Sequence, residues 1–145
     1  MTNWLNRVFL NLDNTVWRYT NIYPTAKIGK DNTIGSYVEI DDNVEIGDNN
    51  RIGAFTFIPN NVVIGNNCFI GPRVTFTNDK YPPSGKGQWG HIYVEDGASI
   101  GAGSIIVTGV IIGENALIGA GSVVTRDIPA DQVWYGVPAV FARRR

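Results

Sequence analysis

The side chains best suited to chemistry in this 145-residue chain fall within one stretch, Asn78 to His91. Asn78 can orient a nucleophile or donate a hydrogen bond to a developing oxyanion. Asp79 and His91 can each accept a proton, and His91 is of the one type that titrates near neutrality unperturbed. Tyr81 and Trp89 can stack on a sugar or a base, or pack the stretch onto a neighbouring chain. Asn78, Asp79 and His91 are therefore the catalytic candidates, with Tyr81 and Trp89 as substrate-binding candidates. Conformation competes for part of this signal, because Asn and Asp are also favoured at sharp bends. The lone cysteine, Cys68, has no partner for a disulfide, and together with the lone His91 it cannot build a zinc cage in one chain. No metal is expected, and a reducing compartment is the default.

What must position these residues is a six-residue repeat. Ile22, Ile28, Ile34, Ile40, Ile46, Ile52, Ile58, Ile64, Ile70 and Phe76 recur at that spacing, and Val94, Ile100, Ile106, Ile112, Ile118 and Val124 resume the same phase. Four residues after each anchor the side chain is mostly small or β-branched, as a narrow interior requires; Asn32, Asn50, Lys80 and Ile128 depart from this. Cys68 lies in that inward column, so it reads as an inert buried thiol and not a nucleophile. Three residues after each anchor, twelve of sixteen hexads carry Asn, Asp or Gly, the types that tolerate positive φ. One large inward residue, one small inward residue and one tight corner describe a short strand followed by a bend. Three such units close a triangular coil, and sixteen hexads predict about five coils paired in parallel, about 4.8 Å apart.

The expected organisation is a single all-β domain over 1–145, with 43% hydrophobic residues for its core. Residues 3–17 carry apolar side chains at helical spacing and predict a short amphipathic cap. The β-helix spans 22–129, a Pro- and Gly-rich loop protrudes at 82–93, and a tail at 130–145 packs back along the outside. Phe55, Phe57 and Phe69 predict an apolar outer face that an oligomer would bury. Twelve Lys and Arg against thirteen Asp and Glu leave no basic footprint for nucleic acid or an anionic membrane. No apolar run approaches a membrane span and the opening segment lacks a signal-peptide pattern, so a cytoplasmic location is expected.

The hexads, together with the closing IGAGSVVTRDIPADQVWYGVPA, resemble the hexapeptide-repeat acyltransferases over residues 22–142. The resemblance implies the left-handed parallel β-helix, a homotrimer, and acetyl-CoA lying along the prism in a groove between two subunits. Handedness rests on this resemblance alone. Within the superfamily, FTNDKYP at 76–82 is similar to the motif of N-acetyltransferases that act on a nucleotide-linked amino sugar. Position by position, the resemblance puts the pantetheine arm beside the backbone of Ala102 and Ala120, and the nucleotide end of CoA near Thr125, Arg126 and Arg143. Arg suits phosphate through its forked donors.

Galactoside, maltose and xenobiotic O-acetyltransferases, which the chain also resembles, have a His near this point, acting as base on a hydroxyl, and here Asp79 falls near that place instead. A hydroxyl needs help losing its proton, whereas a neutral amine attacks a thioester unaided, so the sequence favours an amine acceptor. The expected function is acetyl transfer from acetyl-CoA to a nucleotide-linked amino sugar. Its rivals are an O-acetyltransferase with His91 as base and a non-catalytic β-solenoid scaffold.

Overall fold

The computed structural model describes residues 13–145. Over these residues the chain is a parallel β-solenoid of about seven turns, triangular in section and consistent with the left-handed coil that the resemblance implies. Two-residue strands dominate because each hexad spends its remaining four residues on a corner. Successive turns pair residue for residue eighteen positions apart, as in Thr33 with Arg51 and Ile40 with Ile58. The first face stacks Thr15–Val16, Thr33–Ile34, Arg51–Ile52, Phe69–Ile70, Ser99–Ile100, Leu117–Ile118 and Gln132–Gly136. The second runs from Asn21–Ile22 to Val123–Val124, and the third from Lys27–Ile28 to Ile111–Ile112.

Every anchor from Ile34 to Val124 is buried, and these side chains form one continuous internal ladder. A fully buried Ile contributes about 1.5–3 kcal/mol, so the ladder is the main source of stability. Ile22 and Ile28, in the lowest turn, are only partly covered. Two of the four departures in the small column, Asn32 and Asn50, are explained by hydrogen bonding. Asn14, Asn32 and Asn50 stack inside the edge between the third and first faces. Asn50 donates from its amide to the Gly65 carbonyl at 2.8 Å and accepts the Cys68 N–H at 2.8 Å, and Asn32 does the same one turn below with Gly47 and Asn50.

Positive φ falls three residues after the anchor on all three edges, at Asp31, Asn43, Asn49, Asn61, Asn67, Gly97, Gly103, Gly109, Asn115 and Gly121 among others. On the first edge, between the first and second faces, it also falls on bulky residues: Tyr19, Tyr37, Phe55 and Arg73 have φ between 57° and 68°. Their side chains stack. Tyr19 and Tyr37 lie 4.9 Å apart, Tyr37 and Phe55 5.0 Å apart, and the Arg18 and Arg73 guanidinium groups close the two ends over Tyr19 and Phe55. Gly101 shows why the adjoining column on this edge is mostly glycine: a Cβ there would meet the Ala120 backbone nitrogen at 2.4 Å.

Four expectations change. The predicted cap at 3–17 lies mostly outside the described residues, and its end is not helical, because Thr15–Val16 pairs with Thr33–Ile34 as the first strand of the solenoid. The five expected coils become six turns and the first rung of a seventh, since the repeat gains one rung at its start and two at its end. The tail does not pack along the outside: Gln132–Gly136 stacks on Leu117–Ile118 as another rung, and Ala139–Arg144 folds back on it antiparallel. Phe55, Phe57 and Phe69 do not share a face. Phe69 stands on the first, Phe57 on the second and Phe55 on the edge between them.

Candidate active site

The protruding segment leaves the second edge after Thr75–Phe76 and rejoins the third face at Ile92–Val94. It is therefore longer at its start and shorter at its end than the expected 82–93. Its twelve extra residues change the pairing offset from eighteen to thirty without changing the phase, so Val63 still pairs with Tyr93. Two sets of bonds hold it. At the root, the Gly90 N–H donates to the Asn78 carbonyl at 2.9 Å, the Gly109 N–H to the His91 carbonyl at 2.8 Å, and the Thr108 N–H to the Thr77 hydroxyl at 3.0 Å. A Cβ on Gly90 would lie 2.5 Å from the buried Thr108 hydroxyl, which has no partner among the described residues.

Higher in the loop, Asp79 is the organising group. Its carboxylate accepts the Ser84 hydroxyl at 2.6 Å, the Ser84 N–H at 2.8 Å and the Tyr81 N–H at 3.1 Å. The Ser84 hydroxyl and N–H, followed by the Tyr81 N–H and the Trp89 side chain, hold the carboxyl below the usual carboxylate range. A carboxylate already engaged by these donors is a weak proton acceptor. His91 is exposed, with its ring stacked on Tyr93 at 6.2 Å between centroids. Tyr81 is 76% exposed and carries the Lys80 ammonium 5.8 Å above its ring.

Asn78, Asp79, Tyr81, Trp89 and His91 thus share one loop on the second edge, and Thr125 and Arg126 lie on that edge two turns further up. Ala102 and Ala120 do not join them. They are exposed on the first edge, beside Gly103 and Gly121, and the whole second face separates them from the loop. Arg143 lies on the terminal antiparallel strand, where its guanidinium donates to the Arg144 carbonyl at 2.9 Å. Burial pushes the Cys68 thiol up to about 11, in keeping with an inert thiol. A broad depression on the third face, around Lys27, Glu45 and Val63, offers only an exposed ion pair at 3.8 Å. Among the described residues no group of three or more His, Cys, Asp or Glu side chains could hold a metal, and no helix is long and apolar enough to cross a membrane.

Sequence reasoning missed Ser84, Thr108 and Gly90, since each acquires its meaning from a partner brought close only by folding. Arg73 did leave a trace: with Thr25, Tyr37 and Phe55 it makes up the four exceptions to the Asn, Asp or Gly corner column.

Residues 43–78 and 91–126 match the bacterial transferase hexapeptide (six repeats) family, and the interruption between them is the loop. The dTDP-3-amino-3,6-dideoxy-alpha-D-galactopyranose 3-N-acetyltransferase of Aneurinibacillus thermoaerophilus is 51% identical over 51 residues, 35% of this chain and 27% of that protein. The galactoside O-acetyltransferase of Lactococcus lactis subsp. lactis (strain IL1403) is 38% identical over 81 residues, 52% of this chain and 39% of that protein. These matches span well under half the length of either relative. Among solved structures, a variant of the Caulobacter crescentus GDP-perosamine N-acetyl transferase, bound to CoA and GDP-perosamine, superposes with a TM-score of 0.80 at 27% identity, covering 90% of this chain and 57% of that one. The Bacillus cereus N-acyltransferase AntD, with dTDP and 3-hydroxybutyryl-CoA, shares the fold at a TM-score of 0.79 and 22% identity, covering 91% and 80%.

Proposed function

We propose that this chain, a hexapeptide-repeat protein of the bacterial transferase type, is an acetyl-CoA-dependent N-acetyltransferase acting on the amino group of a nucleotide-linked amino sugar. The observation that carries this reading is the engagement of Asp79 by Ser84 and Tyr81. With that carboxylate occupied, the loop suits a nucleophile that needs no deprotonation before attack. Two relatives that acetylate an amino sugar on a nucleotide, by their names, support the same substrate class.

The site forms between copies in a homotrimer. Ala102 and Ala120 of one copy lie along the pantetheine arm, with backbone groups meeting its amides, and Thr125 and Arg126 of the facing copy, together with Arg143, meet the nucleotide end of CoA. Asn78 from the facing copy orients the amine and supports the oxyanion of the tetrahedral intermediate. The nitrogen attacks the thioester carbonyl and becomes cationic. His91 or solvent takes its proton and passes one to the departing sulfur as the intermediate collapses, so that the C–S bond breaks and CoA leaves as the thiol. Asp79 acts by shaping the loop, and Tyr81 and Trp89 flank the sugar.

The exposed His91 at the loop root, together with the galactoside O-acetyltransferase match, favours a second reading: hydroxyl acetylation with His91 as general base. Steady-state acetyl transfer to paired amino and hydroxy nucleotide sugars separates the two. The N-acetyltransferase reading expects turnover with the amine and little with the hydroxyl, and the reverse result overturns it. Thermal protection by acetyl-CoA tests either enzyme against a scaffold.

A further inference from the structure

The first edge changes character between its fourth and fifth turns. Below the step stand Tyr19, Tyr37, Phe55 and Arg73; above it, Gly103 and Gly121 occupy the same column, and a Cβ on either would meet nothing within 4 Å. Positive φ disfavours bulky side chains by roughly 1–2 kcal/mol each, so four in succession on one edge call for an explanation beyond the turn itself. Stacking supplies part of it. The ring faces are consumed within the ladder, however, and what it offers outward is ring edges and an exposed guanidinium. Arg73 lies over Phe55 at 4.9 Å and so points away from the glycine notch, toward the lower turns.

Arg73 and Asn78 belong to the same turn, on its first and second edges. The five residue steps from one to the other, at about 3.3 Å each, put them at most roughly 17 Å apart, at the two ends of one face of the prism. Within one copy they stand on different edges with the second face between them, so they do not converge on one reacting centre. In an assembly whose axis runs parallel to the solenoid, equal turns stand at equal height, and under the function proposed above the first edge of one copy, with Ala102 and Ala120, faces the loop edge of the next.

We propose that Arg73 of one copy completes the acceptor site of its neighbour, binding the diphosphate of the nucleotide-linked sugar whose amine is held by the neighbour's Asn78. This rests on the reading above, in which the pantetheine arm runs down the notch past Ala120 and Ala102. The thioester then arrives just above Arg73. The donor fills the upper turns, so the acceptor approaches from the lower ones, where the guanidinium points. The Phe55, Tyr37 and Tyr19 stack buttresses Arg73 from below and keeps the fork presented outward, as recognition of phosphate through several donors requires.

The test uses Arg73→Gly, which relaxes the backbone to match Gly103 and Gly121, and Arg73→Lys, which keeps the charge but not the fork. Titration calorimetry with dTDP, with GDP and with CoA is run on the wild type and both variants. The expected result is a loss of at least about 10-fold in nucleoside diphosphate affinity for Arg73→Gly, a smaller loss for Arg73→Lys, CoA affinity within about twofold of wild type, and a Tm no lower. Wild type binding CoA but neither diphosphate, or Arg73→Gly weakening CoA as much as diphosphate, overturns the assignment while leaving the acetyltransferase reading intact. Wild type binding none of the three overturns both. Co-expressed Arg73→Gly and Asn78→Ala chains should regain activity at about a quarter of the sites of random mixed oligomers, because each intact site needs one residue from each copy. No recovery overturns the placement between copies.

Discussion

Asp79 holds Ser84 twice, through the hydroxyl at 2.6 Å and the backbone N–H at 2.8 Å, and so closes a six-residue ring at the tip of the only long excursion from the solenoid among the described residues. Ser84→Ala removes the stronger of the two bonds. Turnover of the acceptor should fall on the order of 10-fold in kcat/KM, mainly through KM, with acetyl-CoA binding unchanged. The pH dependence has a definite sign. Asp79 is depressed in the folded state, so its clasp is present above the ordinary carboxylate value of 3.8 and is lost as pH falls through the depressed one. In Ser84→Ala the release should move up toward 3.8, read from the Trp89 indole resonance during acid titration.

Asn78→Ala and His91→Asn divide the two chemistries. For an amine acceptor, Asn78→Ala should cost on the order of 10²-fold in turnover and His91→Asn much less, because solvent can take the proton from a cationic intermediate. For a hydroxyl acceptor the order inverts, since general-base assistance at the attack step is typically worth ~10²–10⁴-fold. Steady-state rates for both variants with both acceptors decide.

The interior Asn ladder gives a stability prediction with no catalytic content. Asn50→Ala leaves the Gly65 carbonyl and the Cys68 N–H without their partners inside the prism. At about 1–3 kcal/mol for each buried orphan, urea unfolding should show a loss on the order of 2–6 kcal/mol. A loss under half a kilocalorie would mean that water reaches this edge.

Two glycines on the first edge should behave differently. Gly101→Ala drives a Cβ to 2.4 Å from the Ala120 nitrogen and must push two turns apart, so it should prevent folding or lower Tm steeply. Gly103→Ala meets open space and faces only the conformational penalty of φ +71, about 1 kcal/mol. Comparable Tm values for the two variants would contradict the close approach of the turns.

Asp41 is raised above its ordinary value, first by burial and then by repulsion from Glu39 and Asp42. Its ionisation therefore opposes folding at neutral pH. Asp41→Asn should stabilise by a few tenths of a kcal/mol, the group being largely solvated and screened. The gain should fade as pH drops through the raised value and vanish below about 3.8, where Asp41 is protonated in both states. Thermal melts at pH 7 and pH 3 check it.

The hexad was enough to read most of the fold, because a two-residue strand and a four-residue corner leave little freedom once Ile recurs every sixth position. It also extended further than expected: Val16 lies six residues before Ile22 and opens the first face, but helical spacing among its neighbours masked it. The terminal hairpin was not legible, since Ile128 falls two residues short of the next anchor position and the register slips before Trp134 pairs with Ile118. At the candidate site, residue types and the turn residues of the loop were visible. The occupation of Asp79 by Ser84 was not, because a sequence does not disclose which donors a carboxylate will meet. The stack topped by Arg73 was visible only as failures of a pattern, until folding set those failures one above another.

The loop adds twelve residues, two whole hexads, between strands that keep their register, and its root bonds close the gap it leaves. Under the function proposed above, substrate recognition can thus be exchanged as a cassette. An insertion of any length that returns to Ile92 from the same corner leaves every rung of the prism undisturbed, so selection or a protein engineer can rewrite the acceptor preference of this scaffold without reopening the question of whether it folds.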